Sequence, residues 1–129
     1  MENGIKNTVT VTVTERDTAL SHGSGTLRVY ATPAMAALME STAMDSVSPF
    51  LAEGEATVGT ALDIRHLSAT PVGCTVTCES ELTEIDGRRL VFKVRVSDVG
   101  GLIGEGIHER FIISTEKFMD KAESKLSNK

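Results

Sequence analysis

One long helix stands alone in a chain that otherwise consists mainly of predicted strands. It begins at Thr32-Pro33, a capping residue followed by a proline suited to the first helical position, and continues to Phe50. It is too apolar to lie on a solvent-facing surface. Strand-like alternation follows at 56–66, 73–84, 88–98 and 102–114. We therefore expect an α+β fold in which a curved antiparallel sheet wraps around one long central helix.

The remaining chain adds one element at each end. Residues 8–14 alternate Thr and Val and predict a first strand, and residues 116–126 have apolar side chains at helical spacing. Asp86-Gly87 and Gly100-Gly101 are typical of hairpin turns. No linker, repeat or low-complexity segment divides the sequence, so we predict a single domain over residues 1–129.

Glu40 lies where the helix should be apolar. At 100° per residue it falls among Ala36, Met39, Ala43, Val47 and Phe50, whereas the opposite side carries Ser41, Thr42, Asp45, Ser46 and Ser48. A buried carboxylate without a donor would neutralise, so its retention requires a partner. An activated carboxylate in an apolar cleft is a common catalytic base or nucleophile.

Thr32 and His66 are the candidates to act with Glu40. Thr32 is predicted at the N-cap of the helix, about 12 Å along the axis from Glu40, so the two side chains cannot touch directly but could flank one substrate. Strand alternation puts His66 at the end of an apolar face, just before residues 68–71 end the strand. Its imidazole is therefore expected at a rim that a ligand can reach.

Composition argues against several partners and cofactors. The chain has 13 basic and 18 acidic residues, no basic cluster, and only four Phe and one Tyr, which argues against nucleic acid. Its apolar runs are shorter than the ~20 residues of a membrane span, and its first residues lack a signal core, so we expect no membrane association and a cytoplasmic location. Cys74 and Cys78 are spaced for neither a disulfide nor a zinc site, so we expect reduced thiols and no metal.

This order of elements, with Thr32, Glu40 and His66 in these places, resembles the hotdog-fold thioesterases, and most closely the fluoroacetyl-CoA thioesterase-like group. The resemblance covers nearly the whole chain after residue 5. Five segments carry it by their order and spacing: MAALME at 35–40, EGEATVGTA at 53–61, HLSATP at 66–71, GRRL at 87–90 and GEGIHER at 104–110.

The resemblance implies hydrolysis of a short acyl-CoA thioester to free acid and CoA, with no cofactor. Its catalytic Thr, Glu and His map onto Thr32, Glu40 and His66. In this hypothesis Glu40 acts as nucleophile or general base, His66 handles protons, and Thr32 orients the acyl group. A backbone N–H near Gly59 is expected to hold the thioester oxygen, since glycine lets the backbone approach a ligand closely.

The same resemblance implies a homodimer with its active sites at the interface, where the 56–66 strand could be the joining edge. The CoA phosphates would then lie near positive side chains. The candidates are Arg110, Arg65, Arg88, Arg89 and Lys117. We expect His108 to be structural, and Gly104 and Gly106 to mark tight packing or a bulge.

Residues 20–30, before the helix, are expected to form a flexible segment that can act as a lid. Fluoroacetyl-specific members of the group carry a phenylalanine in this lid, whereas this segment has none and is shorter. We therefore expect thioester hydrolysis without fluoroacetyl specificity. Other functions stay open: hydration or dehydration of enoyl or 3-hydroxyacyl thioesters, non-catalytic acyl-CoA binding and, least favoured, a purely structural dimer.

Overall fold

The computed structural model describes residues 1–127. The strands and α-helices of this part of the chain are β1 (Lys6–Thr12), α1 (Ala19–His22), α2 (Thr32–Val47), β2 (Glu55–His66), β3 (Thr75–Asp86), β4 (Arg89–Asp98), β5 (Gly101–Ser114) and α3 (Thr115–Glu123). The order of long helix followed by four strands is as expected.

The strands form one antiparallel sheet in the order β1-β3-β4-β5-β2. Both predicted hairpins are present, because β3 pairs with β4 and β4 with β5 through two-residue connections. Gly87 and Gly101 have φ values of +61° and +115°, which favour glycine in these turns. The strands β1 and β2 lie at the two edges, so the strand expected to join two subunits does have an open edge.

The core lies between α2 and the face of the sheet that packs against it. Met35, Met39, Ala43 and Val47 of α2 are fully buried. They pack in one cluster with buried sheet residues that include Leu82, Leu90, Phe92 and Val94. The expected architecture, an antiparallel sheet wrapped around a central helix, is confirmed.

The buried face of α2 is rotated from the predicted one. Thr42 and Ser46, expected on the polar side, are buried, whereas Phe50 is 54% exposed. The two hydroxyls form hydrogen bonds to backbone carbonyls of the same helix. Thr42 Oγ1 donates to Leu38 O at 2.7 Å, and Ser46 Oγ donates to Ala43 O at 2.6 Å. Small hydroxylated residues can therefore be buried when their hydroxyls bond to the helix backbone.

The ends of the elements also differ from the prediction. Ala31, not Thr32, is the N-cap of α2, and it makes no side-chain capping hydrogen bond. Thr32 is the first residue of the helix. The α-helix ends at Val47, since Ser48–Phe50 form a 3₁₀ turn that takes Phe50 off the helical periodicity. The first strand lies at Lys6–Thr12 rather than 8–14.

Two methionines of α2 provide a test of this packing. Met39 is completely buried, whereas Met44 is 38% exposed on the same helix. We expect Met39→Ala to lower the free energy of unfolding by about 2–5 kcal/mol, because it removes buried methylene and sulfur contacts and leaves a cavity. Met44→Ala should cost less than about 1 kcal/mol. Urea unfolding of both variants measures the difference, and equal losses would contradict the assigned helix face.

Candidate active site

The side chains of Thr32 and His66 meet at one end of the fold. Thr32 opens α2 and His66 ends β2, and although 34 positions separate them, Thr32 Oγ1 lies 2.8 Å from His66 Nδ1. The sequence indicated both residues as candidates but not their hydrogen bond, because the approach of a helix end to a strand end depends on tertiary packing.

A glycine of β5 packs against the first turn of α2. Gly104 of β5 lies opposite His66 in the β2–β5 ladder. A Cβ atom at Gly104 would be 2.5 Å from Sδ of Met35, one helical turn after Thr32. A side chain at Gly104 would therefore require the thioether end of Met35 to move. The expectation of tight packing at this glycine is confirmed.

His66 has one ring nitrogen free to act. Nε2 is buried and has no hydrogen-bond partner among residues 1–127. The ring of Tyr30 stands edge-on to the imidazole, with 6.4 Å between centroids. Burial lowers the pKa of His66 below its ordinary value, so the imidazole is neutral at pH 7. A neutral ring with an unpaired nitrogen can donate to or accept from a substrate.

A cavity of about 390 Å³ lies beside this pair. Its walls include Thr32, His66, Tyr30, Leu67 and Ser24. The segment predicted as a lid therefore does line the candidate site. It is ordered by backbone hydrogen bonds, from Ala19 N to Val29 O at 2.8 Å and from Leu20 N to Leu27 O at 3.1 Å.

Glu40 lies elsewhere on α2. It is half-buried, and within residues 1–127 no hydrogen bond or ion pair joins it to Thr32 or His66. Its negative charge acts on two buried side chains of β5, His108 and Arg110. Burial lowers the pKa of both groups, and the charge of Glu40 opposes this shift in each. One chain thus holds a Thr32–His66 pair and a separate carboxylate.

Arg110 and His108 form a buried polar cluster on one face of the sheet. Arg110, only 5% exposed, donates from Nε to Thr57 Oγ1 at 2.8 Å and from Nη2 to Thr57 O at 2.9 Å. Its Nη1 lies 3.1 Å from His108 Nε2, and His108 Nδ1 lies 2.8 Å from Ala61 O. This placement favours an internal role for Arg110 over contact with CoA phosphates, and it agrees with the structural role expected of His108.

Gly59 lies in a β-bulge directly over this cluster. Gly59 pairs with Arg110 and Ala61 with Glu109, so Thr60 is an extra residue in β2. A Cβ atom on Gly59 would lie 3.2 Å from His108 Cε1 and 3.4 Å from Arg110 Nη1. The bulge could not be predicted, because the pairing register of strands distant in sequence is not readable from alternation alone.

The other cationic candidates lie on the surface. Arg65 and Lys117 are exposed, and exposed Arg88 lies 3.6 Å from Glu55. Arg89 forms ion pairs with Glu84 and Glu109. Across residues 1–127, no group of three His, Cys, Asp or Glu side chains is arranged to hold a metal ion, and no helix is long and apolar enough to cross a membrane.

An antiparallel sheet around one central helix is the hotdog fold of the thioesterases, whose solved structures this chain matches. The family model described as "Fluoroacetyl-CoA-specific thioesterase" matches residues 13–116. The chain belongs to this family and is a thioester hydrolase of the acyl-CoA thioesterase type.

Known relatives agree with this placement. The chain is 43% identical over 97 residues to the fluoroacetyl-CoA thioesterase of Streptantibioticus cattleyicolor, covering 75% of this chain and 70% of the relative. A structure of a fluoroacetyl-CoA-specific thioesterase variant superposes with a TM-score of 0.91 at 36% identity, covering 97% of each chain. A Thermus thermophilus protein described as a thioesterase superfamily member superposes with a TM-score of 0.89 at 26% identity. The match covers 99% of this chain and 97% of that one.

The buried histidines predict a pH dependence of stability. Burial lowers the pKa of both His66 and His108 below the ordinary 6.5. The folded state then binds fewer protons than the unfolded state, so their contribution is complete above about pH 6.5 and is lost as the pH falls through the lower folded values. We expect NMR titration midpoints below 6.5 for both rings, with stability declining in the same range. Midpoints at or above 6.5 would contradict the burial.

Proposed function

We propose that this thioesterase hydrolyses a small acyl-CoA thioester with Glu40, Thr32 and His66 as its catalytic set. The observation that carries the proposal is the Thr32–His66 hydrogen bond beside a cavity, with His66 Nε2 left unpaired. When the Thr32 hydroxyl donates to Nδ1, the ring hydrogen resides on Nε2. That N–H can then donate to the thioester oxygen or to the departing sulfur.

In the simplest mechanism Glu40 is a general base. It takes a proton from water as the water oxygen bonds to the carbonyl carbon, and the C–S bond of the tetrahedral intermediate then breaks. The products are the carboxylic acid and the CoA thiolate, which takes up the proton from Glu40. Direct attack by Glu40, through an anhydride that water then cleaves, uses the same residues. A backbone N–H near Gly59 is proposed to bind the oxyanion.

The separation of Glu40 from the Thr32–His66 pair supports a site shared between two subunits. Eight residues of helix span about 12 Å, so Glu40 does not reach Thr32 and His66 of its own chain by direct contact. A two-fold axis beside the open edge of β2 would set two copies of α2 antiparallel. Such a pairing would let the start of one helix approach Glu40 of the other. We therefore propose a homodimer joined through β2, with Glu40 from one subunit facing Thr32 and His66 from its partner.

Paired inactive variants test both the residues and the shared site. We expect Glu40→Gln and His66→Asn each to lose at least about 100-fold in kcat as homodimers, because each lacks one group at every site. The heterodimer of the two variants, co-expressed with different tags, should regain about half of the wild-type rate, since one of its two sites is then intact.

Free-thiol release from acetyl-CoA is the assay, and light scattering gives the oligomeric state. Met44→Ala, an exposed position, serves as the activity control. Survival of activity within tenfold in Glu40→Gln homodimers would reject the catalytic set. Inactive homodimers with an inactive heterodimer would place all three residues in one subunit.

The segment over the cavity predicts the substrate preference. Residues 20–30 contain no phenylalanine, and Leu27 is 66% exposed and does not line the cavity. Nothing in this segment is suited to distinguish fluorine from hydrogen on a two-carbon acyl group. We expect kcat/KM for fluoroacetyl-CoA to exceed that for acetyl-CoA by no more than about 200-fold, because one small group in an apolar pocket changes transition-state binding by about 1–3 kcal/mol. A preference above a thousandfold would contradict this interpretation.

A further inference from the structure

Arg110 is a buried cation without a direct counter-ion. Its side chain is 5% exposed, and within residues 1–127 no carboxylate lies within ion-pair distance of it. An arginine stays charged in proteins, and the negative charge of Glu40 acts on it only without direct contact, so its burial remains costly. A hydrophobic residue of similar size would fill the space at lower cost, so the charge or its fixed donors have another use.

The hydrogen bonds of Arg110 and His108 lead to both ends of one short segment. Arg110 binds the side chain and the carbonyl of Thr57, at 2.8 and 2.9 Å. His108 binds the carbonyl of Ala61 at 2.8 Å, and the two side chains are joined to each other at 3.1 Å. The segment between these points is the β2 bulge around Gly59 and Thr60. We call this connected pair the Arg110–His108 clamp.

The tautomer of His108 follows from the clamp. The guanidinium can only donate, so His108 Nε2 accepts from Arg110 Nη1, and Nδ1–H donates to Ala61 O. A neutral His108 is the form that satisfies both contacts. The clamp is thus a directed chain of donors that ends on the backbone of the bulge.

The opposite side of the bulge is also held. Thr60 Oγ1 donates to Glu109 Oε2 at 2.7 Å, and Glu109 in turn pairs with Arg89. Neighbouring residues of β5 therefore fix the bulge from both faces of the sheet. Because a bulge re-aims the groups beside it, these contacts fix the direction of the backbone around Gly59 and Thr60.

We propose that Arg110 and His108 are positioning residues, whose clamp fixes the bulge so that its backbone N–H groups receive the thioester oxygen. This inference rests on the proposed function, in which Gly59 supplies that contact. The charge of Arg110 beneath Gly59 also favours the negative charge that develops on this oxygen, and an environment organised in advance is the most effective form of such stabilisation. The lack of a Cβ at Gly59 lets the clamp approach the backbone.

Three substitutions separate the parts of the clamp. Arg110→Met removes charge and donors, Arg110→Lys keeps the charge but not the paired contacts with Thr57, and Thr57→Val removes one acceptor while keeping the side-chain shape. Arg95→Met is the matched control, since Arg95 is exposed on β4 of the same sheet. Thermal unfolding checks that each variant folds, and Thr57→Val keeps the test valid should Arg110→Met fail to do so.

We expect kcat for acyl-CoA hydrolysis to fall about 100-fold in Arg110→Met, less in Arg110→Lys and about tenfold in Thr57→Val, with KM within about threefold of wild type. Arg95→Met should match wild type. Hydrogen exchange of residues 57–61 should accelerate in the three clamp variants and not in the control, because the bulge is no longer held.

The outcomes are distinguishable. A loosened bulge with unchanged kcat, or a lower kcat with unchanged exchange at 57–61, would overturn the positioning role. A rise in KM alone would also overturn it, since that indicates lost ground-state binding. Glu40→Gln is assayed alongside, because activity that survives there rejects the proposed catalytic set and not the clamp.

Discussion

The packing of α2 against the sheet determines where every functional group can lie. The buried methionines, alanine and valine of the helix fix its rotation, and this rotation leaves Glu40 half-buried at the margin of the core. It also brings the first turn of the helix to the last residue of β2. The interaction is mainly burial of apolar surface, which is strong but not directional.

The architecture could be predicted because it depends on local patterns. Alternation over 56–66 and 102–114, turn residues at Asp86-Gly87, and a helix too apolar for the surface each indicate their own element. The face of the helix could not be predicted to the same accuracy. Thr42 and Ser46 count as polar on any scale, yet their hydroxyls bond to the helix backbone and so permit burial.

The candidate site divides in the same way. Local context and the family resemblance both single out Thr32, Glu40 and His66. The 2.8 Å contact between Thr32 and His66, however, depends on tertiary packing. Arg110 shows the limit most clearly. In the sequence it is one cation among several in a polar segment. Only the pairing of β2 with β5 shows that its guanidinium is buried against the sheet. Strand register, not residue type, decides its role.

Gly104 stands opposite His66, and a Cβ atom there would overlap the thioether end of Met35, one helical turn after Thr32. A small side chain at position 104 would therefore first displace a buried methionine of the core. The hydroxyl of Thr32 and the imidazole of His66 would stay chemically intact, so any loss of function would begin as a change in packing. In a mutational survey, positions that carry no chemistry of their own would then be sensitive through the core that lies beneath the Thr32–His66 pair.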